Sequence, residues 1–196
     1  IGDWVIEKAI AHIVEWRKTF GDIPPIAINL SPRQFWRSAL SDLILEKLSN
    51  AGLPNEVLEV EVTESVLLDA EGSSIDELLK LRAAGIQIAL DDFGTGYSSL
   101  SYLQRLPIST LKIDRSFIND LVLDNGSAGS EPMVKAILAM AKSLSFRVVA
   151  EGVETEAQYQ HLQTLGCDVI QGYLISRPLP ATEFAAKFLV DRNSQR

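Results

Sequence analysis

The sequence predicts an α/β fold in which short strands and helices alternate from end to end, as in most of a (β/α)8 barrel. Two observations predict it. Six apolar stretches are each followed by a segment with helical spacing, and the connections are short. Such strict alternation implies a parallel sheet with right-handed crossovers. The second observation is what stands where the strands stop. Asn29, Glu61, Asp91, Asp92, Lys112, Glu151 and Gln171 all fall at or near the carboxyl end of an expected strand. In a barrel those ends meet at one mouth, whereas an open doubly wound sheet would spread six of them over ~25 Å, with strands ~4.8 Å apart. No G-x-G-x-x-G follows the first strand, so a dinucleotide-cofactor fold has no support.

Taken in order, Gly2–Phe20 reads as a helix, with Asp3 as N-cap and Trp4, Ile6, Ile10, Ile13 and Val14 on its apolar face. Ile26–Leu30 is a short buried strand, and a helix lies within Gln34–Asn50, closed by Gly52 and Pro54. Leu58–Val62 alternates apolar and acidic residues, the period of a strand. Ser74–Ala84 is helical and stops at Gly85. The strand opening Ile86–Ser99 should stop at Asp91-Asp92, where Gly94 and Gly96 permit a tight turn. A short helix follows around Leu100–Leu106, then a strand at Thr110–Ile113 and a short helix at Ser116–Leu121. Leu123–Pro132 is rich in Gly, Ser and Asn and reads as a flexible loop. Met133–Leu144 is a helix, Phe146–Ala150 a strand, and Glu156–Leu165 a helix stopped by Gly166. Val169–Ile175 contains the last strand and Thr182–Val190 the last helix.

At 196 residues, with 46% hydrophobic and 22% charged residues, the chain is expected to fold as one domain, residues 1–196. It begins with Ile1 rather than Met and reads as an excerpt from a longer chain. No apolar run approaches the ~18 residues of a membrane span, and no basic leader opens the chain. The single Cys167 suits a reducing cytoplasm. A net charge of −8 argues against loose binding to a nucleic-acid polymer or to an anionic membrane. An anionic substrate would need a metal or local basic residues.

Glu61, Asp91, Asp92 and Glu151 are hard oxygen donors, and Asn29 adds a carbonyl, a set that suits Mg²⁺ or Mn²⁺ rather than zinc. Four carboxylates in one cleft would repel one another and raise their own pKa values without a cation. Two divalent ions ~3.5–4 Å apart are the recurring solution in phosphodiester hydrolysis. Asp91 and Asp92 are neighbours, so a regular strand would point them to opposite faces. They reach one site only if the strand turns there. A plainer role stays open for each residue. Asn29 can cap the helix after Ser31, and Glu59 and Glu61 can line a solvated strand face. Glu64 can be a capping acid, Glu151 and Glu154 can cap the helix beginning near Thr155, and Gln171 can be a buried hydrogen-bonding residue. Lys112 stands inside the apolar run Leu111–Ile113, where lysine is less often exposed. Asp-Phe-Gly also occurs in protein kinases, but no glycine-rich or His-Arg-Asp loop accompanies it here.

Asn29-Leu30-Ser31, Glu61-Val62-Thr63-Glu64, Asp91-Asp92-Phe93-Gly94-Thr95-Gly96-Tyr97-Ser98-Ser99, Lys112-Ile113-Asp114, Glu151-Gly152-Val153-Glu154 and Gln171-Gly172-Tyr173 stand in this order. Together the six resemble the signature series of EAL domains, bacterial phosphodiesterases that open cyclic di-GMP to linear pGpG in second-messenger signal transduction. The resemblance implies a TIM-like (β/α)8 barrel with one antiparallel strand. It implies that Asn29, Glu61 and Asp91 bind a first metal, and that Asp91 bridges to a second completed by Asp92. Glu151 would be the general base or share the second metal, and Lys112 would hold the attacking water or the phosphate. Glu64 would brace the Asp92–Ser99 loop, which in the family links substrate binding to dimerisation. Gln171, Arg177 and Pro178 would lie near the rim, against metal-bound water or substrate. It also implies a cytoplasmic homodimer with sensory or GGDEF-type domains elsewhere in the parent chain. An interface is expected on the short helix carrying Tyr97, Leu100, Leu103 and Leu106, and near Asp114–Leu123. One departure stands out: no Glu-Ala-Leu tripeptide is present. The domain is thus expected to lack its N-terminal strands, and the 196-residue piece to be inactive by itself. A degenerate EAL domain that binds cyclic di-GMP as a receptor, or serves as a protein-interaction module, is the competing reading.

Overall fold

The computed structural model describes residues 2–35, 39–67, 73–94, 103–121 and 129–190. Its helices are α1 (Gly2–Phe20), α2 (Pro32–Phe35), α3 (Leu40–Asn50), α4 (Glu64–Leu67), α5 (Ser73–Ala83), α6 (Arg115–Asn119), α7 (Glu131–Ser143), α8 (Glu156–Leu165) and α9 (Ala181–Phe188). Its strands are β1 (Ile26–Asn29), β2 (Leu58–Thr63), β3 (Gln87–Phe93), β4 (Thr110–Ile113), β5 (Arg147–Ala150) and β6 (Val169–Ile170). Contacts divide the chain into two units, one of Ile1–Glu61, Asp69–Gln87 and Pro178–Arg196, the other of Val62–Leu68 and Ile88–Arg177. Among the described residues no helix is long and apolar enough to cross a membrane.

In the first unit β1 and β2 run parallel, with Ile26 beside Leu58 and Asn29 beside Glu61. The helix α1 buries Ile6, Ile10, Ile13 and Trp16, while Trp4 and Val14 are exposed. The expected apolar face is therefore rotated: a stripe that starts at Ile6 reaches Trp16 at three- and four-residue steps, and Trp4 falls off it. Trp16 packs into an apolar cluster with Phe20, Ile23, Ile26, Phe184, Ala185 and Leu189. Asp3 lies in the first turn of α1 rather than at its N-cap, because the helix is already under way at Gly2. The helix expected within Gln34–Asn50 is α3; the short α2 comes before it, and Ala39 ahead of α3 has a left-handed backbone at φ 71°. Gly85, at φ 101°, closes the turn after α5 as expected.

In the second unit β3, β4, β5 and β6 pair parallel in chain order. Every residue of β4 is buried, Lys112 included. The strand β3 does not stop at Asp91: it continues through both aspartates to Phe93. The register shows how. Leu90 pairs with Leu111 and Phe93 with Ile113, so β3 spends one more residue than β4 over the same span. That is a β-bulge, and Asp92 within it takes φ 55°. The helix α7 starts at Glu131, before the expected Met133, because Pro132 is tolerated in a first helical turn. The helix α6 starts at Arg115, capped by Asp114, which accepts a hydrogen bond from the Ser116 N–H. Only Val169 and Ile170 of the expected last strand pair as a strand, and the chain turns at Gly172. Leu103 and Leu106 are buried within the chain, so neither faces outward for an interface. Tyr97, Leu100, the rest of the Asp92–Ser99 loop beyond Gly94 and most of Leu123–Pro132 lie outside the described residues.

Candidate active site

The first unit contributes a pair. The parallel register sets Asn29 and Glu61 side by side at the ends of β1 and β2, and Asn29 Nδ2 donates to Glu61 Oε2 at 3.1 Å. Glu61 is 8% exposed. The solvated-face reading therefore fails for Glu61. The cap reading fails for Asn29: the start of α2 is served by Ser31, whose N–H and hydroxyl both reach Gln34 Oε1.

The second unit contributes a charge cluster centred on Lys112. Its ammonium lies 3.1 Å from Asp91 Oδ1 and 2.6 Å from Glu151 Oε1, in a side chain only 4% exposed. Asp91, Asp92 and Glu151 each offer a carboxylate oxygen, and these oxygens lie within 4.8 Å of one another. The bulge makes this possible, since it turns Asp92 to the side that Asp91 faces. Burial, then the neighbouring carboxylates of Asp91 and Asp114, push the Asp92 carboxyl above its ordinary range, and Lys112 offsets only part of this. Glu151 is not the helix cap. That place belongs to Thr155, which forms a capping box with Gln158, and Gln158 Nε2 also donates to the Ile118 carbonyl at 3.1 Å.

Glu64, 8% exposed, accepts the Gly94 N–H at 3.3 Å, a direct hold on the start of the glycine loop. Gly94 needs its freedom: it sits at φ 103°, and a Cβ there would press on the Phe117 ring. Gln171 is exposed rather than buried, because β6 has already ended at Ile170. Arg177 and Pro178 are exposed as well. Two residues that stand in the motif series have no role assigned from the sequence. Asp114 adds a carboxylate that acts on Asp92; burial raises its own carboxyl, but hydrogen bonds from Ser116 and the Arg115 N–H hold it low. The Asp-x-Ser spacing of a helix cap was its legible signal. Tyr173 carries the Arg177 guanidinium over its ring at 4.5 Å.

Hard oxygens this close, with one buried ammonium among them, fit a divalent cation by their chemistry. Comparison with known proteins agrees with the motif series. The family model for the EAL domain matches residues 1–178. The chain belongs to the EAL family. It is 45% identical over 186 residues to the bifunctional diguanylate cyclase/cyclic di-GMP phosphodiesterase MucR of Pseudomonas aeruginosa, covering 95% of this chain and 27% of that protein. Among solved structures, the c-di-GMP complex of the PaMucR phosphodiesterase is 44% identical with a TM-score of 0.86, over 94% of this chain and 73% of that one. The manganese/c-di-GMP complex of Klebsiella pneumoniae BlrP1 is 30% identical with a TM-score of 0.75, over 90% of this chain and 45% of that one. The parallel α/β arrangement is that of EAL structures, in keeping with the expected TIM-like fold. The chain spans about a quarter of the length of the curated relatives it matches.

Proposed function

We propose that this EAL domain hydrolyses cyclic di-GMP to linear pGpG with divalent metal, Mg²⁺ or Mn²⁺, in the cytoplasm. The observation that carries the reading is the cluster of Asp91, Asp92 and Glu151 around the buried Lys112 ammonium. Asp91 and Asp92 would hold metal within the second unit, and the family resemblance adds Asn29 and Glu61 as further ligands. When bound, the ions lower the pKa of water and stabilise charge on the attacking and leaving oxygens. The chain's own residues do the rest. Glu151 accepts the proton of the attacking water. Lys112, fixed between two carboxylates, orients that water or the phosphate and offsets negative charge. Glu64 keeps the loop at Gly94 in place. Gln171, Arg177 and Pro178 meet the substrate at the rim. Several relatives are signalling proteins about four times as long, which supports accompanying sensory or GGDEF-type domains in the parent; the homodimer is carried by the family resemblance alone.

The test is hydrolysis of cyclic di-GMP by the full-length protein with Mg²⁺ or Mn²⁺, with Ca²⁺, and in EDTA. Turnover is expected with the first two. Inhibition is expected with Ca²⁺, which prefers longer bonds and higher coordination. Full turnover in EDTA would sink the two-metal reading. Tight binding without turnover under every metal would favour the receptor reading.

A further inference from the structure

The turn after β6 is stitched to the two flanks of Glu151. The Gln171 N–H donates to the Ala150 carbonyl at 2.8 Å, and the Gln171 carbonyl accepts the Val153 N–H at 3.0 Å. The Leu174 N–H then donates back to the Val153 carbonyl at 3.0 Å. Gly172 lies so close that any Cβ would collide with the Val153 backbone. Its carbonyl accepts from the Ile175 and Ser176 N–H groups, closing the turn so that the chain folds back at Arg177. The outcome is a cation–π contact, with the Arg177 guanidinium carbon 4.5 Å from the Tyr173 ring centre, on a turn anchored beside the proposed general base. Both partners stay accessible: Tyr173 is 51% exposed and Arg177 is exposed. Among the described residues no carboxylate forms an ion pair with Arg177.

A guanidinium held over the face of an aromatic ring has one side occupied and fewer rotamers to lose on binding, while its N–H donors stay free for a partner. Those donors form a fork. Guanine presents two adjacent acceptors, O6 and N7, that match such a fork, whereas adenine replaces O6 by a donor. We propose that Tyr173 and Arg177 form the element that reads a guanine of the dinucleotide, Tyr173 as the shelf and Arg177 as the fork. This deepens the functional reading above and rests on it for the identity of the ligand. Tyr173 is a positioning residue, acting through the guanidinium it supports.

The experiment compares cyclic di-GMP with its 7-deazaguanine analogue, which carries C–H in place of the N7 acceptor. Affinity is measured by calorimetry and KM by initial rates, on the full-length protein and its variants. The parent is expected to bind the analogue about tenfold more weakly, within the discrimination of one bidentate contact. Arg177→Ala is expected to bind both ligands weakly and to lose that gap. Tyr173→Ala is expected to shrink the gap and to raise KM for cyclic di-GMP more than it lowers kcat, while Tyr173→Phe retains the parent's gap. A gap that survives in Arg177→Ala, or no gap in the parent, overturns the inference. Parent-like affinity and gap in Tyr173→Ala overturn the shelf. Binding with an Arg177-dependent gap but no hydrolysis would leave this inference standing and remove the proposed activity; hydrolysis without a gap would do the reverse.

Discussion

The strand ends of the two units solve different electrostatic problems. Asn29 and Glu61 make a complementary pair, one neutral donor and one acceptor, joined by a hydrogen bond. Asp91, Asp92 and Glu151 crowd like charges around one ammonium, and Lys112 offsets that crowding by sitting between two of them. The first pair is structurally content without a ligand. The second is held under strain of charge, and strain of that kind is what a catalytic cation relieves. The difference teaches how much stability each group of side chains should cost the metal-free fold when it is perturbed, apart from what either contributes to metal binding.

The largest expected effect is on turnover. Glu151→Gln should lower kcat by ~10²–10⁴, the usual contribution of a general base, with cyclic di-GMP affinity retained. Calorimetry beside a hydrolysis assay separates the two, and parent-rate hydrolysis would leave Glu151 without a catalytic role. Next comes Lys112→Met in EDTA. Breaking a buried ion pair from one side costs about 3–5 kcal/mol, and the partial exposure of Asp91 and Glu151 should bring the loss to about 2–4 kcal/mol in urea unfolding. A loss below that of Glu61→Ala would break the contrast drawn above. For the Asn29–Glu61 pair, Glu61→Ala should cost about 1.5 kcal/mol, the low end for a hydrogen bond to a charged group, and Glu61→Gln less because its amide oxygen can accept from Asn29.

The smallest expected effect is a pH dependence. The Asp92 carboxyl is raised in the fold, so the native state holds that proton more tightly than the unfolded chain. Its contribution is therefore greatest below the ordinary carboxylate value and is lost as pH rises through the raised one. Asp92→Asn should flatten that slope and raise the metal-free melting temperature at neutral pH. Mg²⁺ should raise the parent's melting temperature more than the variant's. Equal shifts would separate Asp92 from any metal.

Most element positions were legible because periodicity is a local signal. α1, β4 and α8 begin and end where the sequence reading puts them. Lys112 was legible for the same reason, as a charge inside an apolar strand. What could not be read is what depends on neighbours. Two consecutive aspartates look the same whether the strand ends before them or bulges through them, and only the pairing of β3 against β4 decides. The choice of Trp16 over Trp4 depends on which side of α1 meets Phe184 and Leu189, far along the chain. Gln171 looked able to be buried because the strand before it was expected to run longer than Val169–Ile170. The Tyr173–Arg177 contact joins residues four apart across a turn, with no repeating pattern to announce it.

The bulge in β3 also bears on how such a domain can change over generations. β3 takes three steps from Leu90 to Phe93 where β4 takes two from Leu111 to Ile113. Deleting one aspartate therefore removes a carboxylate and, in the same event, restores an even ladder. A chain lacking Asp92 should melt no lower than its parent while losing turnover, and a lower melting temperature would refute this. Loss of catalysis is then a single in-frame deletion that the fold does not resist, whereas regaining it requires an insertion at one place that must first disturb a regular sheet. If the proposed hydrolysis holds, the geometry acts as a ratchet, biasing lineages away from turnover.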